Sequence, residues 1–269
     1  MSPGLSFDGS SAGVTHITSR DNPLIKDLRK LSQDSTAYRK QGRVWLEGDH
    51  LCRAALARGL KPALAVFAES YWPAAPAEWL RAAGKSIVVS DALLPEISGL
   101  ESPARMGFVL DLPAATDLLP DVASVILDRV QDAGNVGSIL RSAAAFGFSQ
   151  VIALKGTAAL WSPKVLRAGM GAHFALHLVE GLEPGALASL AVPIVVTSSH
   201  HGDFLHQQKL PMPCAWAMGH EGQGVSDDLM ARAALKVRIN QPGGEESLNV
   251  AAAAAICLYA SSLATHPGL

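Results

Sequence analysis

The chain has 269 residues, of which 49% are hydrophobic and 17% are charged, and its formal net charge is −2. This composition excludes a largely disordered protein, which would be more polar, and predicts one large domain or two smaller ones. The three cysteines, Cys52, Cys214 and Cys257, are too widely spaced to suggest a zinc site or a disulfide framework. Residues 1–13 are rich in Ser and Gly and lack the apolar core of a signal peptide, so we expect a flexible tail on a soluble, cytoplasmic protein.

Charge is distributed unevenly along the chain. Residues 16–61 contain 10 Lys and Arg but only 5 Asp and Glu, whereas the rest of the chain is acidic on balance. A basic end predicts contact with a polyanion, although solvated helix faces are often basic as well. If the polyanion is RNA, the candidate contact residues are Arg20, Lys26, Arg29, Lys30, Arg39, Lys40 and Arg43.

In the first half, short apolar runs alternate with helical patterns. A helix is predicted at 21–32, because Asp21 or Asn22 can cap it and Pro23 suits its first turn. The remaining predicted helices are 49–58, 76–83 and 91–97, and the predicted strands are 44–46, 64–68, 86–90 and 108–112. The alternation predicts a small α/β domain over residues 14–112, followed by a linker at 113–122.

A second alternation fills residues 123–269. The predicted strands are 125–127, 151–154, 175–179, 194–198, 215–218 and 236–239, and the predicted helices are 136–146, 163–168, 184–190, 227–233 and 248–263. The strands are apolar throughout, which is typical of parallel strands covered on both faces. The pattern predicts a doubly wound α/β domain that binds its ligand beyond the carboxyl ends of the strands. The apolar stretch 250–263 is shorter than a membrane span and predicts a buried helix.

The first candidate motif covers residues 127–141, where a strand ends, a loop turns and a helix starts. Asn135 can cap that helix, and Arg141 follows about one and a half turns later, so the loop end and the guanidinium can face one cleft. The third glycine of a dinucleotide-binding fingerprint is missing. Taken alone, a ligand-free turn with a surface arginine explains the motif equally well.

Two further motifs follow strands in the last quarter of the chain. Residues 217–226 hold three glycines around Glu221, which favours a loop whose backbone approaches a ligand closely. Residues 239–250 enter an alanine-rich helix, which Ser247 can cap, and Ser247 and Asn249 place polar groups at its entrance. Taken alone, the third motif is more simply a capping serine and a turn asparagine.

In this order, the motifs resemble the SpoU (TrmH-like) branch of the SPOUT methyltransferases. The matches are N-x-G-x-x-x-R at 135–141, G-x-E-G-x-G at 219–224 and I-x(7)-S-L-N at 239–249. The first half is similar to the L30e-like substrate-binding domain of rRNA methyltransferases in this branch, through residues 19–26 and 46–48. The resemblance implies an α/β fold with a C-terminal trefoil knot, S-adenosylmethionine as the cofactor, and a homodimer with the active site near the subunit interface.

The reaction implied by the resemblance is methyl transfer to a ribose 2′-hydroxyl of RNA. Arg141 corresponds to the family's catalytic arginine, and since arginine stays protonated, holding a phosphate and positioning the hydroxyl is its simpler role. Ser247 and Asn249 would orient the nucleophile or Arg141, and Glu221 and Asn135 would hold the arrangement. The residues that would bind the cofactor are Thr197, Ser198, Gly219, His220, Glu221, Gly222, Ile239, Gln241, Ser247 and Leu248. Asn240 departs from the family, which often has proline there, and His220 stands at a variable position.

Several alternatives remain open at the level of sequence. The extra N-terminal domain favours rRNA over tRNA as the substrate. A non-catalytic RNA-binding factor would lack Arg141, Ser247 or Asn249, and a small-molecule enzyme with a nucleotide cofactor would not need the basic N-terminal region. A metal is not expected, since no carboxylate completes a zinc triad with the candidate histidines, which are His173, His177, His200, His201 and His206.

Overall fold

The computed structural model describes residues 14–113, 116–198, 202–243 and 247–265. The predicted tail at 1–13 and the histidines His200 and His201 lie outside these ranges. In the described residues the chain forms two β-sheets, one in each half, as the two alternations predict. No helix in these ranges is long and apolar enough to cross a membrane.

The first half contains a mixed five-stranded sheet. Its strands are β1 (Thr15–Ile17), β2 (Arg43–Glu47), β3 (Leu64–Ala68), β4 (Ser86–Val89) and β5 (Met106–Asp111). Their order is β1-β4-β3-β5-β2. β4 pairs in parallel with β1 and β3, whereas β5 runs antiparallel to β2 and β3. The sequence did not reveal β1, because three residues with two exposed side chains are too short to show an alternating pattern.

Five short helices surround this sheet. They are α1 (Pro23–Gln33), α2 (Ala37–Gln41), α3 (Asp49–Ala57), α4 (Ala77–Ala82) and α5 (Leu94–Ile97). Asn22 is the cap of α1, since its side-chain oxygen accepts a hydrogen bond from the Leu24 N–H at 2.9 Å. Pro23 follows in the first turn, where a missing N–H costs nothing. Ile25 and Leu28 then turn inward into the core, as their helical spacing predicts.

The second half contains a seven-stranded sheet in which all neighbouring strands are parallel. Its strands are β6 (Ser124–Asp128), β7 (Gln150–Leu154), β8 (His177–Leu182), β9 (Ile194–Thr197), β10 (Asp203–Phe204), β11 (Ala215–Gly219) and β12 (Leu235–Arg238). Their order is β10-β12-β9-β11-β6-β7-β8. The chain order therefore reverses at β6, with β7 and β8 on one side and β9 to β12 on the other. Ligands of doubly wound sheets bind at such a reversal, beyond the carboxyl ends of the strands.

Helices cover both faces of this sheet. They are α6 (Ala133–Ala145), α7 (Pro163–Gly169), α8 (Asp227–Arg232) and α9 (Val250–Thr265). Val125 and Leu127 of β6 point to the face covered by α6 and α9, whereas Ile126 points to the face covered by α8. Burial on both sides explains why the strands are apolar throughout.

Two predicted elements of the second half differ from the observed ones in bounds or in type. Residues 175–179 were expected to form a strand, but Ala172–Ala175 is a 3₁₀ helix and β8 starts only at His177. The buried His173 ring bonds the Leu160 carbonyl at 2.9 Å, and this contact holds the preceding turn in place. The helix predicted at 184–190 is also a 3₁₀ helix, Pro184–Ser189.

The two halves are in direct contact. The Tyr38 hydroxyl donates a 2.7 Å hydrogen bond to the carboxylate of Glu180, which also accepts from Arg39 at 3.3 Å. Leu166 of α7 is buried in the core of the first half. These contacts link the elements on either side of the predicted linker.

Candidate active site

A cleft of about 680 Å³ opens beyond the carboxyl ends of β9, β11 and β12. Its volume is in the range of small-molecule sites. All ten residues predicted to bind the cofactor lie in its lining, namely Thr197, Ser198, Gly219, His220, Glu221, Gly222, Ile239, Gln241, Ser247 and Leu248. The structure adds seven residues that the sequence did not reveal, Gln223, Gly224, Val225, Asp227, Met230, Val250 and Ala253.

The loop after β11, residues 219–225, is folded tightly on itself. A Cβ on Gly219 would lie 2.1 Å from the carbonyl carbon of Gly224, so only glycine fits there. The backbones of His220 and Gly224 exchange two hydrogen bonds, of 3.0 and 2.8 Å. The Nδ1 atom of His220 accepts from the N–H groups of Gly222 at 3.0 Å and Gln223 at 3.3 Å. His220 therefore holds the loop by accepting both hydrogen bonds at Nδ1, a structural role besides the cofactor contact that the resemblance implies.

Three polar side chains, one from each motif, form a connected chain that we call the polar relay: Glu221, Asn135 and Asn249. One oxygen of Glu221 accepts from the Asn135 amide and from the Asp132 N–H, both at 3.1 Å, and the other accepts from the Gln131 N–H at 3.2 Å. The Asn135 oxygen accepts in turn from the Asn249 amide at 2.9 Å. The relay joins the loop after β11 to the starts of α6 and α9.

Glu221 is held as an ionised acceptor within the relay. Partial burial is the largest single influence on its pKa and acts to raise it. The hydrogen bonds from the Asn135 side chain and from the backbone N–H groups of Asp132, Glu221 and Gln131 lower it by more, so that the pKa is about 2. At neutral pH this carboxylate accepts hydrogen bonds and does not act as an acid.

Two predicted helix caps are wrong. Asp132, not Asn135, caps α6, since its side chain accepts from the Asn135 N–H at 2.8 Å. Asn249, not Ser247, is the residue whose side chain accepts from the first N–H groups of α9, those of Ala251 at 2.9 Å and Ala252 at 3.2 Å. The Asn135 side chain is already engaged by Glu221 and Asn249, and Asp132 provides an equally good cap three residues earlier.

Arg141 lies on the exposed side of α6 and is not in the lining of the 680 Å³ cleft. It lines a second pocket, of about 340 Å³, together with residues of α3 from the first half. Within a single chain, Arg141 therefore does not share a cleft with the second and third motifs, contrary to the prediction from the sequence.

Two residues at the end of β6 support the loop after β11 and were not predicted. The buried Asp128 accepts a 2.6 Å hydrogen bond from the Ser226 N–H. Arg129 has a φ of 61°, in the left-handed region, and donates to the Gln223 side chain at 2.8 Å. The ionisable Asp128 at the end of an apolar strand was a signal available in the sequence, whereas the unusual φ of Arg129 was not.

The candidate RNA-binding residues fall into two groups. Arg20, Lys30 and Lys40 are exposed and form no ion pair with any described residue. The other four are paired with carboxylates: Lys26 with Asp21 at 3.3 Å, Arg29 with Glu96, Arg39 with Glu180 at 3.3 Å, and Arg43 with Asp111 at 2.7 Å. The members of the second group would have to exchange a partner in order to bind a phosphate.

The candidate histidines within the described ranges are engaged in other contacts. His177 bonds the Asp117 carbonyl at 2.7 Å, and His206 stacks on Phe204. Within these ranges no three His, Cys, Asp or Glu side chains are grouped in a way that could hold a metal ion.

Comparison with known proteins matches both halves of the chain. The model of the SpoU rRNA Methylase family matches residues 123–259, and that of the MRM3-like substrate binding domain matches residues 22–106. The chain is 30% identical over 253 residues to the 23S rRNA (guanosine(2553)-2'-O)-methyltransferase RlmP of Bacillus subtilis, which covers 91% of this chain and 98% of that protein.

Two solved structures are similar over nearly the whole chain. The AdoMet-bound rRNA methyltransferase from Sinorhizobium meliloti is 26% identical, with a TM-score of 0.80, and the match covers 94% of this chain and 98% of that one. An RNA 2'-O ribose methyltransferase is 29% identical, with a TM-score of 0.74, and the match covers 92% of this chain and 98% of that one.

Proposed function

The chain belongs to the SpoU rRNA methylase family, and from this premise we propose that it transfers a methyl group from S-adenosylmethionine to a ribose 2′-hydroxyl of ribosomal RNA. It is an RNA methyltransferase, and its cofactor is S-adenosylmethionine. The observation that carries the proposal is the polar relay, because it ties the three motifs together at the cleft.

The residues of the cleft fit this cofactor. The tight loop at 219–225 lets backbone approach a ligand closely, since a side chain at Gly219 would collide with the loop itself. The Gln241 amide oxygen is buried in the lining and has no partner among the described residues, so it can accept a hydrogen bond from a ligand. Ile239 and Leu248 supply apolar surface for an adenine ring. When bound, S-adenosylmethionine supplies an electrophilic methyl group.

The chain's own residues have to align the ribose oxygen and assist the loss of its proton. We place Ser247 beside the nucleophile, because it lines the cleft and a hydroxyl can both accept and donate a hydrogen bond. The ionised Glu221 fixes the Asn135 amide, and Asn135 fixes Asn249, two residues beyond Ser247. Arg141 binds a phosphate near the target ribose, since its guanidinium stays protonated.

The outward face of α9 supports a homodimer. The exposed residues Ala252, Ile256, Tyr259 and Leu263 recur every three or four positions and form an apolar stripe along the helix. An uncovered apolar stripe of this kind marks an interaction surface, and a second copy of the chain fits the assembly that the resemblance implies.

We also propose that the second half contains a trefoil knot and that the protein is cytoplasmic. The knot is supported by the family match over residues 123–259 and by the likeness to a solved rRNA methyltransferase. The domain boundaries at residues 14–112 and 123–269 are likewise proposed, with one sheet formed within each.

The proposal is tested by incubating the protein with tritiated S-adenosylmethionine and unmodified 23S rRNA. After digestion to nucleosides, we expect the label in a 2′-O-methylated nucleoside. A parallel reaction with bulk tRNA distinguishes the alternative substrate, and label in tRNA alone would refute the assignment to rRNA. Label on a base would refute the ribose target.

A further inference from the structure

The second pocket, of about 340 Å³, lies between the two halves of the chain and contains Arg141, to which the proposed function assigns a phosphate. Ala57 of α3 and the adjoining Arg58 line it from the first half. Arg141 of α6 and Met170, which follows α7, line it from the second half. The pocket therefore exists only because the two halves are packed together.

The backbone of the pocket wall has an unusual conformation. Met170 has a φ of 50°, in the left-handed region that residues with a side chain rarely adopt, and its side chain is 44% exposed. Gly171 follows with a φ of +87°, and a Cβ there would lie 2.5 Å from the Cβ of Ala54. The first half thus packs directly on this turn and holds it. Unfavourable backbone conformations of this kind concentrate at ligand-binding sites.

The charge of the pocket is wholly positive. Arg58 and Arg141 are both exposed, and neither forms an ion pair with a described residue. The other lining residues are alanine, glycine and Met170, and no carboxylate is among them. Two unpaired guanidinium groups beside small side chains favour a phosphate, which arginine binds with two parallel hydrogen bonds.

We propose that this interdomain pocket binds a phosphodiester of the RNA substrate, with Arg58 and Arg141 as its ligands and Met170 as an apolar surface for the adjoining base. The inference rests on the proposed function, since it requires an RNA substrate. Arg141 is six residues beyond Asn135, so the pocket lies about 9 Å along α6 from the polar relay.

Arg58→Ala tests the pocket without touching the cofactor cleft. Only the backbone N–H of Arg58 bonds to described residues, the carbonyls of Ala55 and Leu56, so the fold should be unchanged. The matched control is Lys85→Ala, which removes the same charge from an exposed residue of the first half that has no ion pair among the described residues. The probe is 23S rRNA transcribed in vitro, with affinity measured at several salt concentrations.

For Arg58→Ala we expect roughly tenfold weaker RNA binding and a salt dependence reduced by about one phosphate contact. Cofactor affinity should equal that of the wild type, and Lys85→Ala should change the RNA affinity far less. RNA affinity of Arg58→Ala equal to that of Lys85→Ala would overturn the proposal. A dimer that dissociates in Arg58→Ala at unchanged RNA affinity would also overturn it, since the pocket would then be a subunit contact.

This experiment distinguishes a failure of the proposed function from a failure of the pocket proposal. If the wild type methylates rRNA and Arg58→Ala binds it equally well, the enzyme assignment stands and the pocket falls. If Arg58→Ala weakens RNA binding but the wild type transfers no methyl group to rRNA, the pocket is supported as an RNA site and the proposed function falls.

Discussion

Asn249 donates a 2.9 Å hydrogen bond to the side-chain oxygen of Asn135, which lies 114 residues earlier in the chain. The Asn135 amide donates in turn to Glu221, and an ionised carboxylate can only accept hydrogen bonds. The orientation of both amides is thereby fixed from one end of the relay. The start of α6, the loop after β11 and the start of α9 are held as one unit, and a change at any of them is expected to disturb the others.

The variant Asn249→Asp tests the hydrogen bonding of the polar relay separately from the capping of α9. The variant keeps an oxygen that can cap α9 but replaces the donor facing Asn135 with a second acceptor. We expect methyl transfer to fall at least tenfold, while stability changes little. Asn249→Ala should lose both the relay and the cap, and the cap alone contributes about 1 kcal/mol to the free energy of unfolding. Turnover and thermal unfolding of both variants check this, and wild-type turnover in Asn249→Asp would show that the relay is dispensable.

Gly219→Ala is expected to weaken S-adenosylmethionine binding by tenfold or more. The added Cβ would lie 2.1 Å from the Gly224 carbonyl carbon, so the loop must open and lose the tight shape of the cleft. Gly185→Ala is the control, because a Cβ at Gly185 meets no atom within 4 Å. Calorimetric titration of the cofactor measures the difference. Equal affinities in the two variants would mean that this loop does not shape the binding site.

His173 should make the stability of the protein depend on pH. Burial lowers its pKa to about 4, and the ring accordingly stays neutral in the folded chain. The unfolded chain takes up the proton near pH 6.5, so the free energy of unfolding falls as the pH drops from 6.5 towards 4. At pH 5 the loss is about 2 kcal/mol from this group. Urea unfolding at pH 7 and pH 5 should show a smaller loss in His173→Gln, and an unchanged loss in the exposed control His50→Gln. Equal losses in the two variants would contradict the assignment.

Ile256→Glu should convert a dimer to a monomer. Ile256 is 40% exposed at the middle of the apolar stripe on α9, and a charge there would have to be desolvated in the interface. Leu60→Glu is the control, because Leu60 is 37% exposed but lies in the first half, away from α9. Sedimentation velocity reports the mass. A dimer that survives Ile256→Glu would place the subunit contact on another surface.

The ten residues predicted to line the cleft follow from the resemblance to the SpoU family. The place of the cleft beyond the carboxyl ends of the strands could be predicted from the sequence alone, because the second and third motifs directly follow strands and parallel strands end at one edge of a sheet. The relay could not. Asp132 and Asn135 are both good caps for α6, and the choice between them depends on Glu221 and Asn249, which are distant in sequence.

The surroundings of Arg141 also depend on how α6 packs against its neighbours, which the spacing of residues along the sequence does not reveal. Helix α6 lies so close to α7 that a Cβ on Gly137 would be 2.4 Å from the Cβ of Ala168. This close contact sets the rotation of α6 and turns Arg141 towards the first half of the chain. Similarly, β10 has two residues, too few for any hydrophobic period, and only its pairing with β12 defines it.

The most direct test of the central claim is ribose-methylation mapping of ribosomal RNA from cells with and without this gene. The account predicts one 2′-O-methylated nucleotide that disappears on deletion, returns with the wild-type gene and does not return with Arg141→Ala. Identical methylation maps in the two strains, or restoration by Arg141→Ala at wild-type levels, would contradict it.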